Sequence, residues 1–302
     1  MASARLDAEL VRRGLARSRR RAADLVAAGR VEVGGAVATK PAQPVSPDVD
    51  VAVVGEDRPE YVSRAAHKLV GALDALDELA PATVRVDGVR ALDAGASTGG
   101  FTQVLLERGA AQVLAVDVGH GQLDPALAAD PRVVVREGLN VRALTPADVG
   151  LPVDLVVADL SFISLTVALP ALLAAVATDG NLLCMVKPQF EVGRERLGSS
   201  GVVTSPALRA EAVLQVADAA RRLGGVVRGV VPSPLPGPSG NREYFLWLRP
   251  ASGDEAAAGG HGAGAAGQGL DPRAAVAAAV AAAVHEDRAA LVEPVRVDGG
   301  PA

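Results

Sequence analysis

The sequence predicts an α/β protein with a mainly parallel seven-stranded sheet, preceded by a small α+β domain. From about residue 89 onward, short apolar strand-like runs alternate with helical segments, a pattern typical of parallel sheets covered by helices on both faces. The first part of the chain instead combines two short helices with a glycine-centred hairpin and carries much of the basic charge. A chain of 302 residues is long enough for both domains.

The N-terminal domain is expected over residues 1–56. Its predicted elements are helices at 5–13 and 18–28, a tight β-hairpin around Gly34-Gly35 and a strand at 49–54. A linker is expected at 57–62, a catalytic domain at 63–250 and a largely disordered Ala/Gly-rich tail with a possible helix at 251–302.

The catalytic domain is expected to contain the alternating strands and helices. The predicted strands are 89–94, 112–118, 132–135, 153–158, 181–186, 226–231 and 243–248. The predicted helices are 61–79, 100–108, 124–129, 164–177 and 205–223.

Composition narrows the functional classes. Cys184 is the single cysteine, which excludes an internal disulfide, and no Cys/His cluster has the spacing of a zinc site, so we expect no metal. The N-terminus shows no secretory or mitochondrial targeting pattern. The longest uncharged stretch, 160–178, contains Ser, Thr and Pro170 and is interpreted as a loop and a buried helix. We therefore expect a cytoplasmic protein without membrane contact.

Charge is distributed unevenly along the chain. Residues 1–40 contain nine basic and four acidic side chains, a net charge of +5, whereas the whole chain carries −5, so the remainder carries −10. A basic module on an acidic body favours a polyanion partner at one end, with a solvated charged face as the plain alternative. Since aromatic residues make up only 2% of the chain, contacts to a nucleic acid would depend mainly on charge.

A glycine-rich turn, Asp93–Phe101, follows the first strand of the catalytic domain and leads directly into a helix. Glycines let a ligand approach the backbone, and a helix N-terminus offers free N–H groups to an anion. Asp117 ends the next strand, where a carboxylate can accept hydrogen bonds from ribose hydroxyls. The pattern favours a nucleoside-containing cofactor over a structural turn, and leaves open a methyl donor or a dinucleotide.

The candidate cofactor-binding residues are Asp93, Gly95, Ser97, Gly99, Gly100, Phe101, Asp117, Val118, Asn140 and Asp159. For Asn140, capping of a loop is an equally good explanation.

Four charged residues are candidates for catalysis. Asp159 and Lys187 end consecutive strands, where ligands of open α/β sheets bind, and Lys68 and Glu243 could converge there. For any one of them alone, a buried ion pair is the commoner explanation. Together they suit removal of the proton from a ribose 2′-hydroxyl, since a second ammonium group and partial desolvation help a lysine to act as base. The carboxylates would position the lysines and the hydroxyl.

Several segments resemble the TlyA family of rRNA 2′-O-methyltransferases, also called hemolysin A. The segments are Tyr61–Leu69, Asp93–Thr102, Asp154–Ser164 and Val186–Glu191. The resemblance covers residues 5–249, including Arg5–Asp7 and Gly14–Arg19, which are similar to the RNA-binding module shared with ribosomal protein S4.

The resemblance implies a Rossmann-like class I methyltransferase fold of the FtsJ type, with S-adenosyl-L-methionine as cofactor. It also implies a catalytic Lys-Asp-Lys-Glu tetrad at Lys68, Asp159, Lys187 and Glu243, and methylation of cytidine ribose in 16S and/or 23S rRNA. The implied partners are rRNA or ribosomal subunits, and a monomer is favoured. The candidate RNA-binding residues on the basic module are Arg5, Arg17, Arg19, Arg20, Arg21 and Lys40.

The sequence departs from the family pattern at two places. Gln103 stands where an acidic residue is expected after the Gly-Gly-Phe-Thr run. The linker reads Arg58-Pro59-Glu60-Tyr61-Val62, whereas mycobacterial members carry Arg-Ala-Trp-Val, so a coupling of that segment to cofactor binding cannot be carried over. His67 is interpreted as a helix-surface or packing residue and Cys184 as a small core residue.

Three other functions compete with this one. A nicotinamide-dependent oxidoreductase would share the glycine-rich turn and Asp117, but would leave Lys68, Lys187 and the basic module unexplained. A non-catalytic RNA-binding assembly factor would retain cofactor binding without turnover. A hemolysin would need a membrane-active segment, and the sequence shows neither a transmembrane stretch nor a strongly amphipathic helix.

Overall fold

The computed structural model describes residues 4–16, 18–27, 29–54, 61–198 and 200–251, together with Arg273 and Val276. The contacts within the chain divide it into two compact units, Met1–Glu60 and Tyr61–Ala302, which we call the N-terminal and C-terminal units. The predicted linker at 57–62 lies outside the described residues except for Tyr61 and Val62. The predicted domain limits therefore stay predictions.

The N-terminal unit is a small α+β structure. Its elements are β1 (Ala4–Arg5), α1 (Leu6–Arg12), α2 (Arg19–Ala27), β2 (Val31–Val33), β3 (Ala36–Val37), β4 (Pro44–Val45) and β5 (Val51–Val53). β1 pairs with β4, and β2 lies between β3 and β5 in a second antiparallel sheet. Both helices bury leucines, among them Leu6, Leu10 and Leu25, against valines of the strands.

The predicted hairpin is present at Gly34-Gly35. Both residues have a positive φ, +57° and +80°, and Val33 pairs with Ala36 across the turn. A two-residue hairpin turn with positive φ at both positions requires residues that tolerate the left-handed region, which is why glycines stand here. The short β1–β4 pairing was not predicted, because strands of two residues carry no alternating pattern.

The C-terminal unit alternates strands and helices as predicted. Its strands are β6 (Arg90–Ala94), β7 (Gln112–Asp117), β8 (Val133–Glu137), β9 (Val153–Ala158), β10 (Val176–Val186), β11 (Gly225–Pro232) and β12 (Tyr244–Pro250). Its helices are α3 (Ala65–Leu79), α4 (Gly100–Glu107), α5 (Pro125–Ala128), α6 (Pro146–Val149), α7 (Leu165–Ala175), α8 (Pro188–Glu191) and α9 (Pro206–Arg222). Short 3₁₀ turns stand at Val141–Ala143 and Arg194–Arg196.

The seven strands form one sheet in the order β11-β12-β10-β9-β6-β7-β8. β12 runs antiparallel to β10 and β11, and the remaining neighbouring pairs are parallel. The expected mainly parallel seven-stranded α/β fold is thus confirmed. From β6 the chain proceeds to β7 and β8 on one side and returns to β9 on the other. This reversal creates a topological switch point, beside which open α/β sheets bind their ligands.

Helices cover both faces of the sheet. On one face, α7 and α9 pack with Leu92, Val156 and Cys184, and on the other, α3 and α4 pack with Leu155 and neighbouring residues. Cys184 is a buried core residue, as interpreted from the sequence. Because both faces are covered, the strands read as nearly continuous apolar runs.

Two helices differ from their predicted limits by more than one residue. The first begins at Ala65 instead of Tyr61, because the segment before it is irregular and the N–H of Val62 donates to the side chain of Gln103. The helix predicted to end at 177 ends at Ala175, where Val176 already pairs with Val153 of β9. Val176 is β-branched and therefore favours a strand when a partner is available. Because its partner Val153 lies far away in the sequence, the helix ends earlier than the local pattern predicts.

The predicted tail lies outside the described residues except for Ala251, Arg273 and Val276. Arg273 and Val276 are helical, and Val276 is buried in the core cluster on the α7 and α9 face of the sheet.

Helix α7 provides a matched pair of substitutions for testing this core. Leu169 is 0% exposed and Val167 is 50% exposed on the same helix. We expect Leu169→Ala to lower the free energy of unfolding by about 2–5 kcal/mol, because it removes buried methyl groups and leaves a cavity. Val167→Ala should change it by less than about 0.5 kcal/mol. Urea unfolding followed by fluorescence of the single Trp247 measures both, and equal losses would contradict the proposed packing of α7.

Candidate active site

Three adjoining cavities lie at the carboxyl ends of the strands around the switch point. We name them after one lining residue each: the Asp117 cavity, the Lys68 cavity and the Phe190 cavity, of about 540, 260 and 600 Å³. Gly95, Ser97 and Asp159 line both the Asp117 and the Lys68 cavities, and Lys187 lines both the Lys68 and the Phe190 cavities. The three cavities therefore adjoin one another and are bordered by residues at or just beyond the ends of β6, β7, β9 and β10.

The glycine-rich turn has a backbone that only small residues fit. Gly95 and Gly99 have φ of +88° and +97°. A Cβ on Gly95 would lie 2.7 Å from the backbone oxygen of Asp159, and one on Gly99 would overlap the side chain of Leu127. Ser97 also has a positive φ, +48°, and its N–H donates to Asp117 at 2.8 Å. Asp117 thus holds the turn in a conformation that residues other than glycine rarely adopt.

Asp117 points a carboxylate into its cavity. Its Oδ2 accepts the N–H of Ser97 and its Oδ1 accepts the N–H of Gly119 at 2.7 Å. Each oxygen keeps a further lone pair for a ligand hydroxyl. Beside it, Val118 is 65% exposed and offers an apolar surface. Asn140 lines the same cavity, and its side chain caps the following turn by accepting the N–H of Arg142.

Other predicted cofactor residues lie deeper. Phe101 borders the Lys68 cavity but is mostly buried, stacked against Phe245 with ring centroids 6.1 Å apart. Gly100 also lines that cavity, next to the Oγ of Ser63. Gly99 and Asp93 lie outside the three cavity linings, and the role of Gly99 is to permit the turn.

Asp93 is fully buried beneath the turn. Thr102 donates a hydrogen bond to its Oδ2 at 2.7 Å, and its Oδ1 has no hydrogen-bond partner. Burial, with a smaller contribution from the charge of Asp159, raises the pKa of Asp93 to about 7.

The four predicted catalytic residues form two lysine–carboxylate pairs. Lys68 Nζ lies 2.5 Å from Glu243 Oε2, and Lys187 Nζ lies 2.5 Å from Asp159 Oδ1. Lys68 and Glu243 are only 4% and 2% exposed, although Lys68 still borders a cavity. The fold therefore brings together four groups that are far apart in sequence, and a buried charge of this kind is tolerated only when it is paired.

Lysine is rare in this chain, which makes its position informative. Lys40, Lys68 and Lys187 are its three lysines, against 27 arginines (30 basic residues minus three). Two of the three lie in this cluster. A guanidinium cannot be deprotonated in a protein, whereas a lysine ammonium can. The use of lysine at these two positions in an arginine-rich chain fits a site that must exchange a proton.

Two site residues were missed from the sequence. Ser161 Oγ accepts a hydrogen bond from Lys187 Nζ at 2.8 Å, and Gln189 Nε2 lies 3.4 Å from Glu243 Oε1. Both follow the carboxyl end of a strand by three residues, which is the one signal that would have selected them.

The Phe190 cavity carries an exposed aromatic side chain. Phe162 is 92% exposed, has a positive φ of +65° and lies 5.3 Å from the ring of Phe190, measured between centroids. A bulky residue in this backbone region is a genuine outlier and is often found at functional sites.

Gln103 and His67 have roles beside the site. Gln103 Oε1 accepts the N–H of Val62 at 2.9 Å, which fastens the segment before α3 to α4. An acidic residue here would accept the same hydrogen bond. His67 is exposed and packs edge-on against Tyr61, with ring centroids 5.0 Å apart, in agreement with its interpretation as a surface or packing residue.

In the N-terminal unit, several basic residues neutralise buried carboxylates. Arg5 and Arg19 both pair with Asp7, at 2.9 and 3.1 Å. Hydrogen bonds from Arg5 lower the pKa of Asp7 to about 2, and those from Arg12 do the same for Glu9. Arg5 and Arg19 keep more than half of their side chains exposed, so their outer edges can still meet a phosphate.

The remaining candidate RNA-binding residues are less fully described. Lys40 is exposed. Arg20 and Arg21 lie in α2, and Arg17 lies outside the described residues.

In the part of the chain that the structure describes, no helix is long and apolar enough to cross a membrane. Within the same residues, no group of three or more histidines, cysteines or acidic residues is placed to hold a metal ion.

Comparison with protein families identifies the catalytic region. Residues 61–250, more than half of the chain, match the FtsJ-like methyltransferase model. The chain belongs to the FtsJ-like methyltransferase family. Residues 4–51 match the S4 domain. The family match covers β6 to β12 and all three cavities, so the geometry described above is that of a methyltransferase domain.

Individual relatives agree with this assignment. The chain is 58% identical over 246 residues to the 16S/23S rRNA (cytidine-2′-O)-methyltransferase TlyA of Mycobacterium tuberculosis, covering 82% of this chain and 90% of the relative. It is 39% identical over 254 residues to YqxC of Bacillus subtilis, described as a candidate rRNA methyltransferase, covering 83% and 88%. A solved structure described as a candidate hemolysin from Streptococcus thermophilus matches with a TM-score of 0.66 and 33% identity, covering 95% of this chain and 97% of that one. The resemblance to the TlyA family is confirmed.

The buried carboxyl of Asp93 makes stability depend on pH in a specific direction. Because its folded pKa of about 7 exceeds the ordinary value of 3.8, the folded chain keeps a proton that the unfolded chain releases between about pH 4 and 7. Stability contributed by this group is therefore lost as pH rises through that window, by at most about 1.4 kcal/mol per pH unit.

We expect Asp93→Asn to remove this dependence. The difference in unfolding free energy between variant and wild type should shift in favour of the variant from pH 4.5 to about pH 7 and then level off. Urea unfolding at a series of pH values measures it, and parallel pH curves for the two proteins would show that Asp93 is ionised in the folded state.

Proposed function

We propose that this chain is an S-adenosyl-L-methionine-dependent methyltransferase that transfers a methyl group to the 2′-oxygen of cytidine in rRNA. The observation that carries the proposal is the pair of buried lysine–carboxylate contacts at the switch point of an FtsJ-like domain. An S4 domain precedes that domain, and the M. tuberculosis relative is named for this reaction on 16S and 23S rRNA.

The Asp117 and Lys68 cavities fit the cofactor. Asp117 would bind the ribose hydroxyls, the exposed face of Val118 would lie against the adenine, and Asn140 borders the same space. The backbone of the turn from Gly95 to Gly100, together with the N-terminus of α4, would receive the carboxylate of the methionine moiety. When bound, the cofactor would supply an electrophilic methyl group on a sulfonium, for which a neutral thioether is the leaving group.

Lys187 has the position expected of the base. It borders both the Lys68 cavity and the Phe190 cavity, so it stands where a nucleotide held in the latter meets the cofactor region. Its neutral amine would accept the proton of the 2′-hydroxyl while the oxygen forms its bond to the methyl carbon. Asp159 would then stabilise the resulting ammonium through the contact at 2.5 Å.

Lys68 and Glu243 have a different role in this proposal. The Lys68 ammonium is paired at 2.5 Å with Glu243 and borders the cavity next to Lys187. A fixed positive charge there would stabilise negative charge that develops on the 2′-oxygen. Glu243 keeps Lys68 in place, and the amide of Gln189 approaches its other oxygen.

The N-terminal unit would hold the RNA. The S4 match covers the segment that carries Arg5, Arg19 and Lys40, which expose side chains that can contact phosphates. Such contacts position an RNA without reading its sequence, so the choice of the cytidine would be made by the catalytic domain and by the shape of the RNA.

Transfer of labelled methyl from S-adenosyl-L-methionine to purified small and large ribosomal subunits tests the reaction. We expect wild-type protein to label a cytidine 2′-oxygen, mapped by primer extension that is sensitive to 2′-O-methylation. Lys187→Ala should lower kcat by about 10²- to 10⁴-fold, because it removes the base. Lys187→Arg should be impaired to a similar extent, since it keeps the charge beside Asp159 but cannot accept a proton.

The affinity for the cofactor separates the competing outcomes. Both Lys187 variants should bind S-adenosyl-L-methionine within about threefold of wild type, measured by calorimetry. Binding without methylation of either subunit by the wild type would favour the non-catalytic RNA-binding protein. An active Lys187→Arg variant would exclude Lys187 as the base.

The salt dependence of RNA binding tests the N-terminal surface. If Lys40 contacts a phosphate, Lys40→Ala should weaken binding to ribosomal subunits and reduce the slope of log K against log salt by about one. The matched control is Arg85→Ala, an exposed basic residue that precedes β6 and so lies away from the carboxyl edge of the sheet. Filter binding at several salt concentrations measures both, and equal slopes for Lys40→Ala and wild type would remove Lys40 from the interface.

A further inference from the structure

We infer that Ser161 is a positioning residue for Lys187, whose amine it orients by accepting one of its N–H groups. The inference rests on the proposed role of Lys187 as base. It concerns a residue outside the Lys-Asp-Lys-Glu tetrad and is carried by the contact of 2.8 Å between Lys187 Nζ and Ser161 Oγ.

The sheet brings the two residues together. β9 and β10 pair in parallel, with Ala158 beside Cys184, so the loop after β9 and the residue after β10 leave the sheet side by side. Asp159 and Ser161 both belong to the loop after β9, and both contact the amine of Lys187, at 2.5 and 2.8 Å. Lys187 is therefore held by two oxygen atoms of one short segment.

The hydrogen bond to Ser161 limits how the amine of Lys187 can rotate. A neutral amine has two N–H bonds and one lone pair, arranged tetrahedrally with the bond to Cε. When Ser161 accepts one N–H, rotation about the Cε–Nζ bond is fixed, and the lone pair is restricted to the two remaining tetrahedral directions. Because Lys187 borders the Lys68 and Phe190 cavities, an amine held in this rotation can present its lone pair to a substrate hydroxyl bound there.

Without Ser161, one N–H would lose its acceptor and the amine could rotate about the Cε–Nζ bond. The lone pair would then point toward the substrate for only part of the time. Misdirection of a reacting group typically costs a factor of ten to a hundred in rate without weakening the binding of the ground state.

The local structure does not depend on the Ser161 hydroxyl. The loop is anchored to α7 and α8 by Ser164, whose hydroxyl donates to Glu191 at 2.6 Å and accepts the N–H of Thr166 at 3.1 Å. Glu191 also accepts the N–H of Leu165 at 2.9 Å. Ser161 itself is exposed, and of the described lining residues it alone borders all three cavities. Its hydroxyl is therefore placed for the site and is separate from the capping contacts.

The test compares Ser161→Ala, Ser161→Thr and wild type in the methyl-transfer assay on ribosomal subunits, with kcat, KM for the subunit and Kd for the cofactor measured separately. Ser205→Ala is the matched control, because Ser205 caps α9 in the same unit and lies outside the cavities. We expect Ser161→Ala to lower kcat by about 10- to 100-fold while KM and Kd stay within about threefold. Ser161→Thr, which retains the hydroxyl, should recover most of kcat, and Ser205→Ala should behave as wild type.

Each other outcome overturns the inference. A kcat of Ser161→Ala within threefold of wild type would show that Lys187 does not need the Ser161 hydroxyl. A loss confined to KM or Kd would make Ser161 a binding residue instead, and a threonine variant as slow as the alanine variant would show that the hydroxyl is not what matters. Failure of the wild type itself to transfer methyl would refute the proposed function, and the two failures are thereby distinguished.

Discussion

Parallel pairing of β9 with β6 on one side and β10 on the other is the constraint on which the site depends. It places Ala94, Ala158 and Cys184 side by side, so the three strands end at the same edge of the sheet. The glycine-rich turn, Asp159 and Lys187 then follow within a few residues of that edge. The hydrogen-bonded register of the strands aligns these residues, so no side chain has to extend far to reach the site.

Burying charged groups at this edge of the sheet costs free energy, and pairing each ammonium with a carboxylate offsets that cost. Lys68 with Glu243 and Lys187 with Asp159 each put an ammonium within 2.5 Å of a carboxylate. Such pairs seldom stabilise a fold more than apolar residues of the same size would. Their presence at a cavity rim, in a chain whose other lysine is Lys40, is consistent with the proposed reaction, in which a lysine accepts a proton.

The N-terminal unit shows how net charge and available charge differ. Its basic residues include Arg5, Arg12 and Arg19, yet each of these is paired with Asp7 or Glu9, two carboxylates that are themselves buried. The net charge of +5 in residues 1–40 therefore describes the electrostatic field around the unit. It is a poorer guide to the number of basic side chains that have no acidic partner. Lys40 is exposed and lies far in sequence from those two carboxylates, so it differs from these arginines as a candidate for contacting phosphate.

The sequence by itself determined the α/β class, the hairpin at Gly34-Gly35, the glycine-rich turn and the residues at the strand ends. These features depend on periodicity and on backbone conformations that a few neighbouring residues dictate, so they are local. Only the tertiary structure decided which lysine pairs with which carboxylate. It also decided that Ser161 accepts a hydrogen bond from Lys187 and that Phe101 lies mostly in the core. Partners such as Lys68 and Glu243 are 175 residues apart, and their contact depends on the order of strands in the sheet, which no local pattern encodes.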